Sequence, residues 1–472
     1  MTLQQQDAGW GSLFRNGLGI YTVMLNLGIG LHAVDVFIVS TVMPSVVTDI
    51  GGADFYTWTT MLYMVASIIG AAIGGPLKAR QGARRAYCLG AALFLVGSIG
   101  CAVSPVMTSM LAARTIQGFG GGLIISLSMG LISELFPEAL RKRVLAVVSS
   151  TWGVAALIGP AIGGIFAELG SWRGAFWINA PIIVGFMLAA WLRLPERKGA
   201  SPTSLFPYRR MALLTVGVLA VGLASHWHNP MLQAGLIAMA MVFVWGTLRL
   251  DHVGASKLFP THPLSPATPT GAAYWVLFLS SMTHTVIGVF LPLALQKLHG
   301  VDPLMAGYMT ASLAVCWTLG SVATANLHGR AASVAIIGGQ ICCCLGLGAL
   351  ALGIESVPTA VVPMLNGLVG LGLGCSNLHV VAATMRHARP GEESITASSI
   401  PTIRSLGIAF GAAGAGVIAN SAGLTDALLQ PDVARSVLWV LGIGTLAPLS
   451  ALILAARFIG LIHRDAARPE PS

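Results

Sequence analysis

The sequence predicts an all-α polytopic membrane protein, and two properties of the chain carry this prediction. Of its 472 residues, 55% are hydrophobic and only 9% are charged, and the mean hydropathy is +0.80, a balance that no soluble domain of this size shows. The apolar segments have the length that a helix needs to cross a bilayer, and they are too long and too rich in glycine for the alternating strands of a membrane barrel.

We predict fourteen transmembrane helices from these apolar segments. They cover residues 18–46, 57–77, 84–103, 106–136, 142–169, 173–192, 211–228, 230–249, 271–298, 304–327, 331–353, 358–385, 395–421 and 433–462. The polar stretch before the first helix carries a single Arg15 and lacks a small-residue cleavage site, so we expect no cleavable signal peptide.

The basic residues orient the chain in the membrane. With the N-terminus in the cytoplasm, most of the 26 Lys and Arg residues fall in cytoplasmic segments, which is the positive-inside rule. The exceptions are Arg173, Lys297 and Arg435 in outer loops and Arg114 and Arg404 within spans. We therefore expect an inner-membrane protein with both termini in the cytoplasm, and the net charge of +9 requires no nucleic-acid partner.

The spans divide into two sets of six with a different region between them. We predict an N-terminal six-helix bundle at 1–195, two extra transmembrane helices with cytoplasmic linkers at 196–270, and a C-terminal six-helix bundle with a short cytoplasmic tail at 271–472. Aligned at an offset of about 250 residues, the two sets look duplicated. Repeats of this kind are typical of secondary transporters, whose substrate sites lie between the repeats near the bilayer midplane.

The first span contains the most unusual residue of the chain. Asp35 lies within the apolar run LHAVDVFIVSTVMP, where an ionised carboxylate costs roughly 3 kcal/mol even on the lenient insertion scales. It could cap a helix or pair for packing, but apolar residues continue on both sides, and Gly288 occupies the equivalent position of the second repeat. A functional role for Asp35 is therefore favoured.

Four short motifs carry a resemblance to a known family. The first is DVFIVSTVMP, from Asp35 to Pro44, and the second is formed by Trp58 and Tyr63 in the next loop and helix. The third is the loop GPLKARQGARR, which contains Gly75, Leu77, Arg80, Gly82 and Arg84. The fourth is LAARTIQGFGGG, which contains Arg114, Gln117, Gly118 and Gly120. A further motif, GVAALIGPAIGG, places Gly159, Pro160, Gly163 and Gly164 in the fifth span. Together they resemble the fourteen-helix drug:proton antiporter group of the major facilitator superfamily.

The resemblance covers nearly the whole chain and implies a fold and an activity. The fold would be the major facilitator fold, with two six-helix bundles in pseudo-symmetry plus two extra central helices. The activity would be proton-coupled efflux of small amphipathic compounds by alternating access, with the glycine-rich motifs acting in gating. One departure is Ala79, which stands where the family's gating loop has an acidic residue.

The resemblance also implies roles for the intramembrane charges. Asp35 would carry the proton, and Arg114 would take part in proton exchange beside it. The family pattern does not require His32, but this residue lies three positions before Asp35 on the same helix face, so it could hand a proton to the acid or tune it. Arg114 could instead be a strut between helices. Whether Arg114 touches Asp35 does not follow from the sequence.

The candidate substrate cavity is drawn from polar and aromatic residues of both repeats. These are Phe37, Tyr63, Gln117, Trp152, His284, Gln296, Asn377, His379 and Arg404. His284 could line the cavity or only join two helices by a hydrogen bond. Arg404 could pair with an anion inside the protein or extend towards the cytoplasmic face.

We expect no cofactor, no metal and no enzymatic activity, with the proton gradient as the energy source. The seven cysteines all fall in apolar spans, His226 and His228 lie at an outer loop, and no enzyme or ATP-binding motif appears. The expected partners are protons, a small-molecule substrate and the lipid bilayer, and we expect a monomer. Two alternatives stay open: a proton-coupled importer or facilitator of organic anions that uses Arg114 and Arg404, and a membrane sensor without transport.

Overall fold

A computed structural model describes residues 10–15, 17–194, 208–227, 229–253, 257, 259–424, 428 and 430–466. Within these ranges the chain is helical, without strands. Fourteen segments of this described part are long and apolar enough to cross a membrane, which confirms the predicted fold class. The predicted linker residues 195–207 and His228 lie outside the described residues.

The chain divides into two compact units that are described separately. Unit 1 comprises Met1–Val46 and Leu62–Phe206, and unit 2 comprises Val47–Met61 and Pro207–Ser472. The helices from the start of the chain to the first linker are α1 Leu18–Ile50, α2 Trp58–Gln81, α3 Ala83–Ala102, α4 Met107–Leu135, α5 Glu138–Glu168, α6 Gly174–Trp177 and α7 Asn179–Arg193.

Glycines set the close packing of α2 against α4 in unit 1. A Cβ atom on Gly118 would lie 2.2 Å from the carbonyl oxygen of Tyr63, and one on Gly122 would lie 2.0 Å from that of Ser67. Such distances are possible only without a side chain, so the two backbones approach as in other small-residue membrane interfaces. This approach fixes the position of Tyr63, which belongs to the site described below.

The helices that follow the linker are α8 Tyr208–His226, α9 Pro230–Val253, α10 Pro269–Lys297, α11 Pro303–Thr324, α12 Gly329–Gly353, α13 Val362–Arg386, α14 Glu393–Ser421, α15 Gln430–Gly444 and α16 Leu446–Ala466. Of the two extra helices, α8 packs against α9 and α14. Residues 47–61 join unit 2 through hydrogen bonds such as Trp58 Nε1 to Ser225 Oγ at 3.0 Å and Asn420 Nδ2 to the Asp54 carbonyl at 2.7 Å.

Two predicted spans are interrupted in the structure. The span predicted at 173–192 is divided between α6 and α7, and the one at 433–462 between α15 and α16. In each case a proline lies four residues after the last residue of the first helix: Pro181 follows Trp177, and Pro448 follows Gly444. Proline has no N–H to donate to that carbonyl, so the helix is disrupted at this turn.

The segment between α9 and α10 is tied to the start of α14 by Glu392. The Glu392 carboxylate accepts hydrogen bonds from the backbone N–H and the hydroxyl of Thr261, and Lys257 Nζ lies 3.7 Å from it. Burial by itself raises the pKa of Glu392, but the hydrogen bonds from Thr261 and the charges of Lys257 and Arg389 outweigh it, so the pKa is below its usual value.

Candidate functional site

Asp35 and Arg114 form an ion pair in the interior of unit 1. Arg114 Nη1 on α4 donates to Asp35 Oδ2 on α1 at 2.5 Å, and the two side chains are 1% and 0% exposed. The contact that the sequence left open is therefore present. It joins two residues 79 positions apart in the chain, and because both charges are fully buried, each depends on the other for compensation.

Gln117 completes this pair. It lies one turn after Arg114 on the same face of α4, so its amide accepts from Arg114 Nη1 at 2.6 Å and donates to Asp35 Oδ1 at 2.8 Å. The Arg-x-x-Gln spacing of the motif thus places two donors on one carboxylate. Arg114 Nε is buried without a hydrogen-bond partner among the described residues, so the guanidinium retains donor capacity.

Two polar residues that the sequence analysis did not select extend the network. Ser98 Oγ on α3 accepts from Gln117 Nε2 at 3.0 Å, and Asn179 Nδ2 at the start of α7 lies 3.4 Å from the same oxygen. Both are buried, with exposures of 0% and 2%. The sequence offers little indication of their role, because an isolated Ser or Asn is common in an apolar helix, whereas a charged residue is rare there.

Tyr63 connects the ion pair to His32. The ring of Tyr63 on α2 lies under the Arg114 guanidinium, 4.0 Å from its central carbon, and its hydroxyl is 2.8 Å from His32 Nδ1. His32 and Asp35 share a face of α1, as predicted, and the hydrogen bond of His32 goes to Tyr63. Trp152 of α5 approaches the His32 ring edge-on at 6.2 Å and is 41% exposed.

A further glycine leaves room for this cluster. A Cβ on Gly121 of α4 would lie 2.6 Å from His32 Nδ1 and 3.2 Å from the Tyr63 hydroxyl oxygen. Gly121 lies directly beside the motif residues Gly118 and Gly120, but the family pattern did not single it out. Its role depends on the neighbouring helices α1 and α2, so it becomes visible only in the fold.

The GPAIGG motif packs α5 against the helix that carries Asp35. A Cβ on Gly159 would lie 2.4 Å from Phe37 Cβ, and one on Gly163 would lie 3.0 Å from the Ile38 carbonyl oxygen. Pro160 and Gly164 are buried in the same stretch of α5. The motif therefore holds α1 next to a helix segment where proline removes one backbone donor, and such segments bend readily.

The loop between α2 and α3 contains the remaining predicted gating residues. Gly82 adopts a positive φ of 84°, which favours glycine, while Gly75 and Arg80 are exposed near the end of α2. Lys78 in the same turn pairs with Glu134 near the end of α4. An acidic partner for this basic loop is therefore present on α4, although Ala79 replaces the acidic residue of the family's loop.

A second charged cluster lies in unit 2. The Arg404 guanidinium on α14 lies 5.7 Å from the centre of the Trp317 ring on α11, and the His284 ring on α10 meets Trp317 edge-on at 6.0 Å. All three side chains are partly buried. The structure thus brings together two of the predicted cavity residues.

The other predicted residues of unit 2 lie apart from this cluster. His379 is buried on α13, Gln296 lies in the last turn of α10, and Asn377 is half-buried on α13. His226 stacks on Phe55 at 5.1 Å, as expected for a residue at a loop.

The chain matches a family model and is similar in sequence to named transporters. The model of the Major Facilitator Superfamily matches residues 25–412. The chain is 33% identical over 448 residues to a protein of Mycobacterium tuberculosis (strain H37Rv) named "Probable multidrug-efflux transporter", with 89% of this chain and 92% of the relative covered. It is 26% identical over 399 residues to multidrug resistance protein 3 of Bacillus subtilis, with 82% and 77% covered.

Solved structures show the same fold at low identity. A D-xylose-proton symporter superimposes with a TM-score of 0.62 at 17% identity and covers 93% of this chain and 97% of its own. A bacterial homologue of the human lysosomal transporter Spinster, in an inward-facing and unoccupied conformation, superimposes with a TM-score of 0.64 at 12% identity. The match covers 96% of this chain and 99% of the homologue.

Proposed function

The chain belongs to the Major Facilitator Superfamily, and from this premise we propose that it exports small amphipathic compounds, such as drugs, across the inner membrane in exchange for protons. Membership of this family makes it a multi-pass membrane transporter rather than an enzyme. The observation that carries the proposal is the buried Asp35–Arg114 pair with Gln117. The multidrug-efflux name of the mycobacterial relative supports the direction of transport, and the multidrug names of both relatives support the class of cargo.

The ion pair gives proton binding a structural consequence. While Asp35 is ionised, it accepts from Arg114 and Gln117, and the two charges compensate each other. When Asp35 takes up a proton, the attraction is lost and Arg114 becomes an uncompensated buried charge, which is costly. Protonation therefore favours any other arrangement in which Arg114 finds new partners, and the equilibrium between two conformations shifts.

His32 and Tyr63 are the groups that we propose to position this switch. The Tyr63 ring supports the Arg114 guanidinium from one side, and its hydroxyl holds the His32 ring one turn before Asp35. A movement of Arg114 would therefore displace Tyr63 and reach His32. Since Trp152 beside His32 is 41% exposed, the His32 side is where we place the route by which protons approach Asp35.

Exchange requires that substrate and proton use different conformational steps. We propose that the loaded exporter moves outward with Asp35 ionised and paired to Arg114, and returns inward with Asp35 protonated. The glycine contacts between α5 and α1 at Gly159 and Gly163 permit these helices to lie close in one of the two states. No cofactor enters this cycle, and the proton gradient supplies the energy.

The importer of organic anions is the second candidate function. This alternative assigns both Arg114 and Arg404 the role of binding the carboxylate of the substrate. The Asp35 carboxylate and Gln117 already engage Arg114, so this residue is a poorer anion site than the sequence suggested. Arg404 is still available for an anion, and the direction of flux separates an importer from an exporter.

Transport in inverted membrane vesicles tests the proposal. The probes are rhodamine 123 as a cation, fluorescein as an anion and N-phenyl-1-naphthylamine as a neutral compound. With an acidic vesicle interior, we expect uptake of at least one probe and proton release that follows its addition. Asp35→Asn should abolish the uptake per amount of protein in the membrane, because the amide cannot exchange a proton at this position.

The matched control is Asp302→Asn, which removes a carboxylate from the exposed loop before α11. It should transport like the wild type. Undiminished gradient-driven uptake by Asp35→Asn would overturn the role of this residue. Uptake that occurs only into right-side-out vesicles would identify an importer, and the absence of flux or counterflow for all compounds would favour a sensor.

A further inference from the structure

The strongest unexplained feature outside the Asp35 site is the charge of Arg404. Arg404 lies eleven residues after the first residue of α14, which at about 1.5 Å per residue is roughly 16 Å along the helix. A helix needs about 30 Å to cross the apolar core of a bilayer, so this guanidinium lies deep in its span. A charge at that depth is costly and usually marks a ligand or ion pathway.

In the described part of unit 2, no carboxylate of the unit lies at the depth of Arg404. Among these described residues, the acidic residues of the spans lie only at or near the ends of the spans: Asp49, Asp54, Asp251 and Asp432. Neither a hydrogen bond nor an ion pair to Arg404 occurs among the described residues. Its neighbours are the Trp317 ring at 5.7 Å and the His284 ring, which meets Trp317 edge-on.

The chemistry of these three side chains defines what could occupy the site. A guanidinium presents its N–H groups as a planar fork that matches a carboxylate, and such bidentate pairs are among the strongest hydrogen-bonded contacts. Trp317 already provides a π-face for Arg404, and its ring together with the imidazole of His284 forms an aromatic border that suits a flat, apolar ring.

We propose that Arg404, Trp317 and His284 form a substrate subsite for the acidic group of an aromatic carboxylate, with the carboxylate on Arg404 and the aromatic ring against Trp317 and His284. The subsite rests on the proposed transport of small amphipathic compounds and narrows that class to those carrying an acid next to a planar ring. It also assigns distinct tasks to the two intramembrane arginines: Arg114 serves the proton carrier, and Arg404 serves the cargo.

Equilibrium binding to the purified full-length chain in lipid nanodiscs tests the subsite without a proton gradient. The probes are naphthalene-2-carboxylate and naphthalene-2-carboxamide, which differ in charge but hardly in shape. The decisive quantity is the ratio of the two dissociation constants, amide over acid. We expect a ratio of about 10 or more for the wild type, because only the acid forms the charge-assisted pair.

Three variants locate the preference. Arg404→Gln should lower the ratio to about 1, because it weakens the binding of the acid and leaves that of the amide unchanged. Arg404→Lys should give an intermediate ratio of roughly 2 to 5, since the point charge of lysine lacks the planar fork of a guanidinium. Arg330→Gln is the matched control, because it removes one positive charge from the exposed start of α12, and its ratio should equal that of the wild type.

A wild-type ratio near 1, or a ratio in Arg404→Gln as high as in the wild type, overturns the subsite. If Arg404→Gln does not fold, Arg404→Lys decides: an intermediate ratio supports the proposal, and an unchanged one contradicts it. The outcome is independent of proton exchange, since Asp35→Asn should keep the wild-type binding ratio while losing gradient-driven transport. A failure of either proposal is therefore recognised separately.

Discussion

The coupling between Asp35 and Arg114 is open to direct measurement through the stability of unit 1. Arg114→Gln leaves the Asp35 carboxylate, which is 0% exposed, without its charged partner. Breaking a buried pair by removing one member costs about 3–5 kcal/mol. Asp35→Asn has a similar cost for the opposite reason, since it leaves the Arg114 guanidinium, 1% exposed, beside a neutral amide.

The double variant carries the decisive information. With both charges removed, the glutamine and asparagine amides can bond to each other and to Gln117, so no buried charge is left uncompensated. We therefore expect the double variant to be more stable than the sum of the single effects predicts, with an interaction energy of about 2–3 kcal/mol. The measurement is the free energy of unfolding, from titration with dodecyl sulfate in mixed micelles.

The same cycle on an exposed pair is the control. Lys78 and Glu134 join α2 to α4, and their side chains are 22% and 52% exposed. Solvent screens such a pair, so Lys78→Gln and Glu134→Gln should show an interaction of about 0–1 kcal/mol. If the Asp35 and Arg114 effects simply add, to within about 0.5 kcal/mol, the two residues are not energetically coupled and the reasoning about the switch fails.

Two further predictions concern the scaffold. Gly118→Ala should destabilise unit 1 by about 2–3 kcal/mol in the same titration, because the new Cβ would lie 2.2 Å from the Tyr63 carbonyl oxygen. The control, Gly153→Ala, places its Cβ in open space and should be neutral or slightly stabilising. Equal effects of the two substitutions would contradict the close-packing argument. Because the pKa of Glu392 is lowered in the fold, its carboxylate stabilises the protein above its unfolded pKa, and this contribution is lost as the pH falls through the folded pKa. Glu392→Gln should therefore cost about 1–2 kcal/mol near neutral pH through its lost hydrogen bonds to Thr261. This difference from the wild type should shrink as the pH falls below 4.5 and through the lower pKa of the folded state, and a difference that is constant with pH would refute the role of the carboxylate.

The sequence by itself was sufficient for the fold class and for the choice of the two charges that matter most in unit 1. Span number and span type follow from apolar length, because the bilayer imposes one scale on every helix that crosses it. Asp35 and Arg114 are conspicuous for the same reason, since an ionised group in an apolar run has a cost that any reader of the sequence can estimate. The proline rule alone does not predict the interrupted spans at Pro181 and Pro448, because other prolines, such as Pro160 in α5, lie inside continuous helices.

What the sequence could not decide is which side chains meet. Whether Arg114 reaches Asp35, which polar groups extend the network through Ser98 and Asn179, and why Gly121 must lack a side chain all depend on which helices are neighbours and how each is rotated. A membrane helix is apolar nearly all round, so its local pattern says little about the face it turns towards a partner. The same holds for Arg404: the sequence shows a deep charge, but only the packing of α10, α11 and α14 shows that aromatic rings, rather than a carboxylate of unit 2, surround it in the described structure. Local chemistry thus fixed the cost of each buried charge, and tertiary packing determined which of them is compensated within its own unit.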